Sequence, residues 1–214
     1  MTYKIIASGS KENAVIYENK ILVDCGTPFS KIKPFLSDLR LVLLTHAHFD
    51  HFNLRTLQKM AFERPALRFG CGEFLKEDLM RGGIKERNID VYKIWEGVVY
   101  SGGNLSVEPI KLYHDVPNFG YRIFINEKKI FHATDTAHLK GITAKGYDLY
   151  AIESNYCEDR AQQAIEDAKE KGVFCHANGS IETHLSHRQA YEFFIENKKD
   201  DSEFVRLHIS QNFG

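Results

Sequence analysis

The run His46-Ala47-His48-Phe49-Asp50-His51 places three imidazoles and a carboxylate within six residues, directly after the apolar stretch Leu41-Val42-Leu43-Leu44. Side chains alternate along an extended segment, so His46 and His48 fall on one side, and a bend after them swings Asp50 and His51 toward a second ion. Imidazole nitrogen and carboxylate oxygen suit zinc and neighbouring first-row ions. A donor set without thiolate points to a catalytic site rather than a closed structural one. The alternative is a polar, solvated loop, and four metal-capable side chains in six positions at the mouth of a buried strand argue against it.

Other metal-capable residues stand at strand-like boundaries. His114 closes the run 110–113 and precedes Asp115-Val116-Pro117-Asn118-Phe119-Gly120, which reads as a sharp loop. Asp135 follows the run 129–133, and His208 falls in the last strand-like run, 204–209. Strand ends are where a rigid scaffold aims ligands.

The elements that must position these residues alternate in type. Residues 3–7, 14–17 and 21–23 read as an antiparallel meander with turns at Gly9-Ser10 and Asn19-Lys20. A helix is predicted over 28–39, a buried strand over 41–44, an amphipathic helix carrying Leu54, Leu57, Met60 and Ala61, and a strand over 67–69. The second half shows strands over 98–100, 105–112, 121–125 and 129–133, with turns at Ser101-Gly102-Gly103-Asn104 and Asn126-Glu127. A strand over 149–152, helices over 159–171 and 186–197, and the final strand complete it. Two strand-rich halves with helices suggest two packed sheets, helices outside, and a site along one edge of the sheets.

Composition bounds the function. With 214 residues, 43% of them hydrophobic, residues 1–214 fit a single domain with a substantial core. The formal charge of -1 supplies no general positive field for a long nucleic acid. No run approaches a membrane span and the start lacks a secretion signal, so no membrane partner and a cytoplasmic location are expected. Cys25, Cys71, Cys157 and Cys175 have no metal or redox spacing and read as reduced, mostly buried thiols.

The early run, with Asp24 in Ile21-Leu22-Val23-Asp24-Cys25-Gly26, resembles the signature of the metallo-β-lactamase superfamily. His114 to Arg122, Ala133-Thr134-Asp135-Thr136, Ile152-Glu153-Ser154-Asn155, Thr183-His184-Leu185-Ser186 and Leu207-His208-Ile209-Ser210 resemble, in order, the later motifs of its phosphodiesterase branch. That branch includes ribonuclease Z and small bacterial exonucleases, and the resemblance spans essentially the whole chain. It implies an α/β fold, a four-layered αββα sandwich of two mixed sheets with outer helices.

Carried over residue by residue, the resemblance implies two divalent ions, zinc preferred to manganese. His46, His48 and His114 would hold the first, Asp50, His51 and His208 the second, and Asp135 would bridge them, leaving space for a bridging hydroxide. Of His184 and His208, which precede similar Leu-Ser and Ile-Ser pairs, the last motif supplies the ligand in this branch. His184 then pairs with Glu153 and protonates the leaving group. Asp50, besides ligating, could accept a proton from the nucleophile. His132, His138, His176 and His187 read as packing or surface residues. His138, Thr134 or Asp24 could orient a ligand, and Asn118 and Asn155 could contact substrate without a motif to require it.

The expected reaction is hydrolysis of a small phosphodiester, a cyclic nucleotide in preference to a nucleic-acid end. Only residues 115–134 separate His114 from Asp135, where ribonuclease Z carries its tRNA-binding arm. The alternatives are a carbonyl-substrate hydrolase (β-lactam, thioester or lactone) of the same fold, and a non-catalytic nucleotide-binding module. The Thr-Pro-Gly-His context of the carbonyl branches is absent, and all seven ligand positions are filled. A homodimer is expected from the resemblance. The chain ends six residues after His208, without the terminal helix of relatives, so an exposed second ion or a covering partner chain is also expected.

Overall fold

The computed structural model describes residues 1–100, 103–173, 175, 177–212 and 214. The Ser101-Gly102 part of the second-half turn, and His176, lie outside them.

Two six-stranded mixed sheets face each other. The first runs in sequence order: β1 (Tyr3–Ala7), β2 (Ala14–Tyr17), β3 (Ile21–Val23), β4 (Leu41–Leu43), β5 (Arg68–Gly72) and β6 (Ile89–Tyr92). Its first three strands pair antiparallel and the rest parallel. The second holds β7 (Val98–Val99), β8 (Leu105–Tyr113), β9 (Pro117–Ile125), β10 (Lys128–Ala133), β11 (Leu149–Glu153) and β12 (Glu203–Leu207), in the same sequential order across the sheet. Here β7 to β10 pair antiparallel, and β11 is parallel to both β10 and β12. Parallel neighbours need crossovers, which α1 (Phe29–Ile32), α2 (Leu54–Glu63), α3 (Glu73–Arg81), α4 (Glu158–Lys171), α5 (Ala177–Thr183) and α6 (His187–Asn197) help supply.

Strand alternation builds the layers. In β3 and β4, Ile21, Val23, Leu41 and Leu43 face the second sheet, where they meet Tyr121, Ile123, Leu149 and Leu207. Leu22, Val42 and Leu44 face the other way, onto Ile32 of α1, Leu57 and Met60 of α2 and Leu75 and Leu79 of α3. On the far side, Phe131, Tyr150 and Ile152 meet Phe193 and Phe194 of α6. The result is the αββα sandwich.

Local chemistry explains the ends. Tyr17 accepts from Lys20 N across Glu18 and Asn19, both at positive φ (49° and 54°), a hairpin geometry that the twist of the strands favours. Asn126 and Glu127 (48° and 66°) do the same between β9 and β10. The Asn53 side chain caps α2 by accepting from Thr56 N, and Ser186 with Gln189 forms a capping box on α6.

Several elements differ from expectation. The helix predicted over 28–39 stops at Ile32 and tightens into a 3-10 turn at Lys33–Phe35, because Pro34 has no N–H to continue the ladder. The segment 115–120 is not a loop: only 114–116 turn, and β9 already starts at Pro117. Helices α3 and α5 and strand β6 were not foreseen. The last strand ends at Leu207, so His208 lies one residue beyond it, at φ 49°.

Candidate metal centre

The ligand positions read from the sequence, with the supporting Asp24 and Glu153, come to one edge of the two sheets. Asp24 follows β3, His46 lies three residues beyond β4, His114 follows β8, Asp135 lies two residues beyond β10, Glu153 ends β11 and His208 follows β12. Asp24, Asp135 and His208 all hold a left-handed backbone (φ 59°, 59° and 49°), which turns each side chain sharply off its strand.

The loop bearing His48 to Phe52 is pinned at both sides: Asn13 N donates to Asp50 O at 2.7 Å, and Cys25 N to His51 O at 2.8 Å. Phe119 N donates to Thr45 O at 3.1 Å, and the Tyr121 hydroxyl donates to Leu44 O, so β9 of one sheet is tied to the end of β4 in the other.

The side chains gather into overlapping sets that share Asp135. His46, His48, His114 and Asp135 offer ligand atoms within 4.8 Å of one another, and so do Asp50, His51, Asp135 and His208. Asp135 Oδ2 lies 3.3 Å from His46 Nε2 and 3.0 Å from His51 Nε2, while its Oδ1 lies 3.3 Å from His208 Nδ1. Asp50 Oδ2 is 3.4 Å from both His51 Nε2 and His208 Nε2. Two atoms sharing a tetrahedral ion with bonds of about 2.0–2.1 Å stand roughly 3.3 Å apart, the spacing seen here. His46 Nε2 and Asp135 Oδ1 are buried without a hydrogen-bond partner among the described residues. Divalent ions therefore fit this donor set.

Neighbours fix the rings. His51 Nδ1 meets Asp24 Oδ2 at 2.6 Å, and Thr45 N and Oγ1 also donate to Asp24. Thr45 Oγ1 is 2.9 Å from His46 Nδ1, and His114 Nδ1 is 3.2 Å from Thr183 O. These contacts leave the Nε2 atoms facing the centre. His208 is held through its backbone N, which donates to Ser8 Oγ at 2.7 Å, and by Asn155, whose amide donates to its carbonyl at 2.9 Å.

The electrostatics call for positive charge. Burial opposes the charged form of His51, yet Asp135 and Asp24 hold it well above the ordinary histidine range. Burial alone would raise Asp135, but His208 and His51 draw it well below the carboxylate range, and His208 and His51 likewise lower Asp50. Burial pushes His48 down and His114 to about 4. Neutral His48 and His114 beside ionised Asp50 and Asp135 suit a cation, and the raised His51 marks how strongly the two carboxylates beside it attract positive charge.

His184, just past α5, joins the centre from the other side. Its Nδ1 is 2.8 Å from Glu153 Oε2, while Glu153 Oε1 accepts from Thr136 N and Leu185 N. Burial lowers the His184 pKa, but the Glu153 hydrogen bond and charge outweigh it and carry it to about 9. A small cavity of about 220 Å³, lined by His48, Asp50, His114, Asp115, His184 and His208 among others, opens over the cluster.

Other sequence readings resolve differently. Asn118 and Asn155 are buried: the Asn118 amide donates to Thr134 O and Asp135 O, so both asparagines hold the scaffold. The His138 ring lies tilted against Tyr113, centroids 4.2 Å apart, with its Nδ1 unpartnered among the described residues, His132 meets Tyr17, and His187 meets Arg206. Ser8, Thr45, Asp115 and Asn13 escaped sequence reasoning; Asn13 Nδ2 lies 3.1 Å from Asp50 Oδ2 and 2.8 Å from His51 Nε2. Asn13 and Ser8 sit beside a glycine turn and carry no spacing that signals a ligand. Cys25 Sγ, facing Met60, belongs to the core.

Residues 19–209 match the Beta-lactamase superfamily domain. No curated protein sequence matches the chain. Among solved structures, human tRNase Z, short form (ELAC1), is similar at TM-score 0.68 and 15% identity, covering 98% of this chain and 92% of that one. A diphosphatase from the PhnP family is similar at 0.67 and 14%, covering 99% and 87%. Zn(2+)-bound PqqB from Methylobacterium extorquens is similar at 0.65 and 14%, covering 99% and 90%. At such identities the likeness establishes the fold alone. Among the described residues no helix is long and apolar enough to cross a membrane.

Proposed function

The chain belongs to the beta-lactamase superfamily, and from that premise we propose that it is a binuclear-metal phosphodiesterase acting on a small phosphodiester. The observation that carries this reading is the His184–Glu153 pair, 2.8 Å apart at the cavity wall and beside Asp135. Hydrolysis of a diester expels an oxygen that needs a proton, and an imidazolium backed by a carboxylate supplies one.

His46, His48 and His114 would hold the first ion, Asp50, His51 and His208 the second, with Asp135 between them; zinc is preferred to manganese. When bound, the two ions neutralise charge on the phosphoryl oxygens and make an attacking water ionise near neutral pH. The chain's residues do the rest. Asp24 and Thr45 orient His51 and His46, and Asp50 offers an oxygen to take the nucleophile's proton. The water oxygen bonds to phosphorus, the ester P–O bond breaks, and His184 gives its proton to the departing oxygen while Glu153 stabilises the ring. The His184 pKa of about 9 keeps that proton in place at neutral pH, and two nearby cations would draw it down toward the range where a general acid works best.

For substrate, a cyclic nucleotide is preferred to a nucleic-acid end. The cavity of about 220 Å³ suits a phosphate and its ester arms, and β8 and β9 join through a turn with no room for a protruding arm. The named activities of the solved relatives, a tRNase Z and a diphosphatase, both break phosphate esters or anhydrides, which supports the reaction class.

The test is to incubate zinc-loaded protein with bis-p-nitrophenyl phosphate, cyclic mono- and dinucleotides, single-stranded DNA and nitrocefin. Cleavage of the diesters, fastest for a cyclic nucleotide, is expected. Cleavage of nitrocefin alone would reject the reading in favour of carbonyl hydrolysis.

A further inference from the structure

Asp115 has no part in the ligand set described above, yet its carboxylate faces that set directly. Its Oδ1 lies 3.1 Å from His114 Nε2 and 3.4 Å from His48 Nε2. His114 keeps its ring proton on Nδ1, which is directed at Thr183 O at 3.2 Å, so the nitrogen facing Asp115 is the one with the lone pair. His48 Nε2 is the corresponding ligand atom of the same ion. A carboxylate oxygen against the lone-pair nitrogen of His114 is repulsive unless positive charge stands between them.

The two distances fall within the roughly 2.8–3.4 Å that separates neighbouring ligand atoms on one ion with bonds of about 2.0–2.1 Å. They are also the spacings that Asp135 makes with its own histidine partners, 3.0 and 3.3 Å. The turn between β8 and β9 makes the placement possible: only 114–116 lie outside the strands, so the residue after His114 cannot swing far from it. Asp115 differs from Asp135 in exposure, with side chains 56% and 2% accessible.

We infer that Asp115 is an additional, displaceable protein ligand to the first ion, closing its open side until a substrate phosphate takes that position. This rests on the binuclear reading above. The buried residues hold the ion and the exposed carboxylate occupies the face from which substrate arrives. A third carboxylate also lowers the positive charge the centre shows to phosphate. That weakens retention of a doubly charged monoester product more than binding of a singly charged diester.

The experiment is a calorimetric zinc titration of metal-free protein, repeated with cobalt(II) and read by its visible absorption, for the unaltered chain and for Asp115→Asn, Asp115→Ala and Asp115→Glu. The expected result is a first-site affinity at least roughly tenfold weaker in the asparagine and alanine variants, with the second site unchanged. A cobalt spectrum altered in those two variants and largely retained in the glutamate variant is expected with it. Unchanged affinity and spectrum in Asp115→Asn would overturn the inference, as would equal weakening at both sites with an unchanged spectrum, which is the mark of charge without ligation. If the unaltered chain bound no divalent ion, the binuclear reading itself would fall, whereas the substrate panel plays no part in these readouts.

Discussion

Asp24 Oδ2 and His51 Nδ1 lie 2.6 Å apart, joining the end of β3 to the histidine-rich loop twenty-seven positions later. The aspartate makes the imidazole more basic and aims its Nε2 at Asp50 and Asp135, the carboxylates of the proposed second site. Asp24→Asn tolerates the same left-handed backbone while removing the charge. Second-site zinc affinity should fall roughly 10- to 100-fold, read by metal titration. Unaltered affinity would show that Asp24 serves only the fold.

The leaving-group role proposed for His184 would separate substrates by chemistry. A p-nitrophenolate departs without a proton, whereas a nucleotide alkoxide does not. His184→Ala and Glu153→Gln should therefore lower kcat on a cyclic nucleotide by roughly 100- to 10,000-fold, with a far smaller loss on bis-p-nitrophenyl phosphate. Equal losses on both substrates would remove His184 from the proton path.

Gly26 is required by space. A Cβ there would meet the Asp50 carbonyl oxygen at 1.7 Å, and that oxygen belongs to backbone already bonded to Asn13 N. Gly26→Ala must push the loop carrying Asp50 and His51 away, so a loss of about 3 kcal/mol in stability is expected. Bound metal should fall toward one equivalent. Urea unfolding and metal analysis on one preparation check both.

His132 links stability to acid. It lies between the sheets, 1% exposed, with Nδ1 2.7 Å from the Tyr17 hydroxyl, and burial lowers its pKa from 6.5 to about 4. The unfolded chain takes up a proton near pH 6.5 that the folded chain refuses until about pH 4. This contribution is complete above that upper value and is lost as pH falls through the window, by about 3 kcal/mol. Unfolding His132→Gln and the unaltered chain near pH 7.5 and about pH 4.5 should show the smaller loss in the variant. The same loss in both would contradict the assignment.

Much of this was legible in the chain because it rests on local signals. The alternation in β3 and β4, the turns at Asn19 and Asn126 and the crowding of His46 to His51 each lie within a short window. What was missed depends on distance in sequence or on weak periodicity. Strand β6 is four residues long and carries Asp90 and a half-buried Val91, and α3 buries only Leu75 and Leu79. Asn13 reaches His51 across thirty-eight positions, and Ser8 reaches His208 across two hundred. The segment after His114 misled because proline and glycine suggest a loop, although Pro117 can stand at the first position of a strand.

The left-handed residues at three strand ends bear on how the protein behaves when stripped of cations. None of Asp24, Asp135 and His208 is glycine, so each twist costs on the order of 1–3 kcal/mol, and interlocked sheets far larger than the chamber sustain it. The chamber is thus shaped beforehand, unlike small fingers that collapse without zinc. Chelated protein should keep its aromatic circular dichroism, and reloading should proceed at the pace of ion entry with no refolding phase.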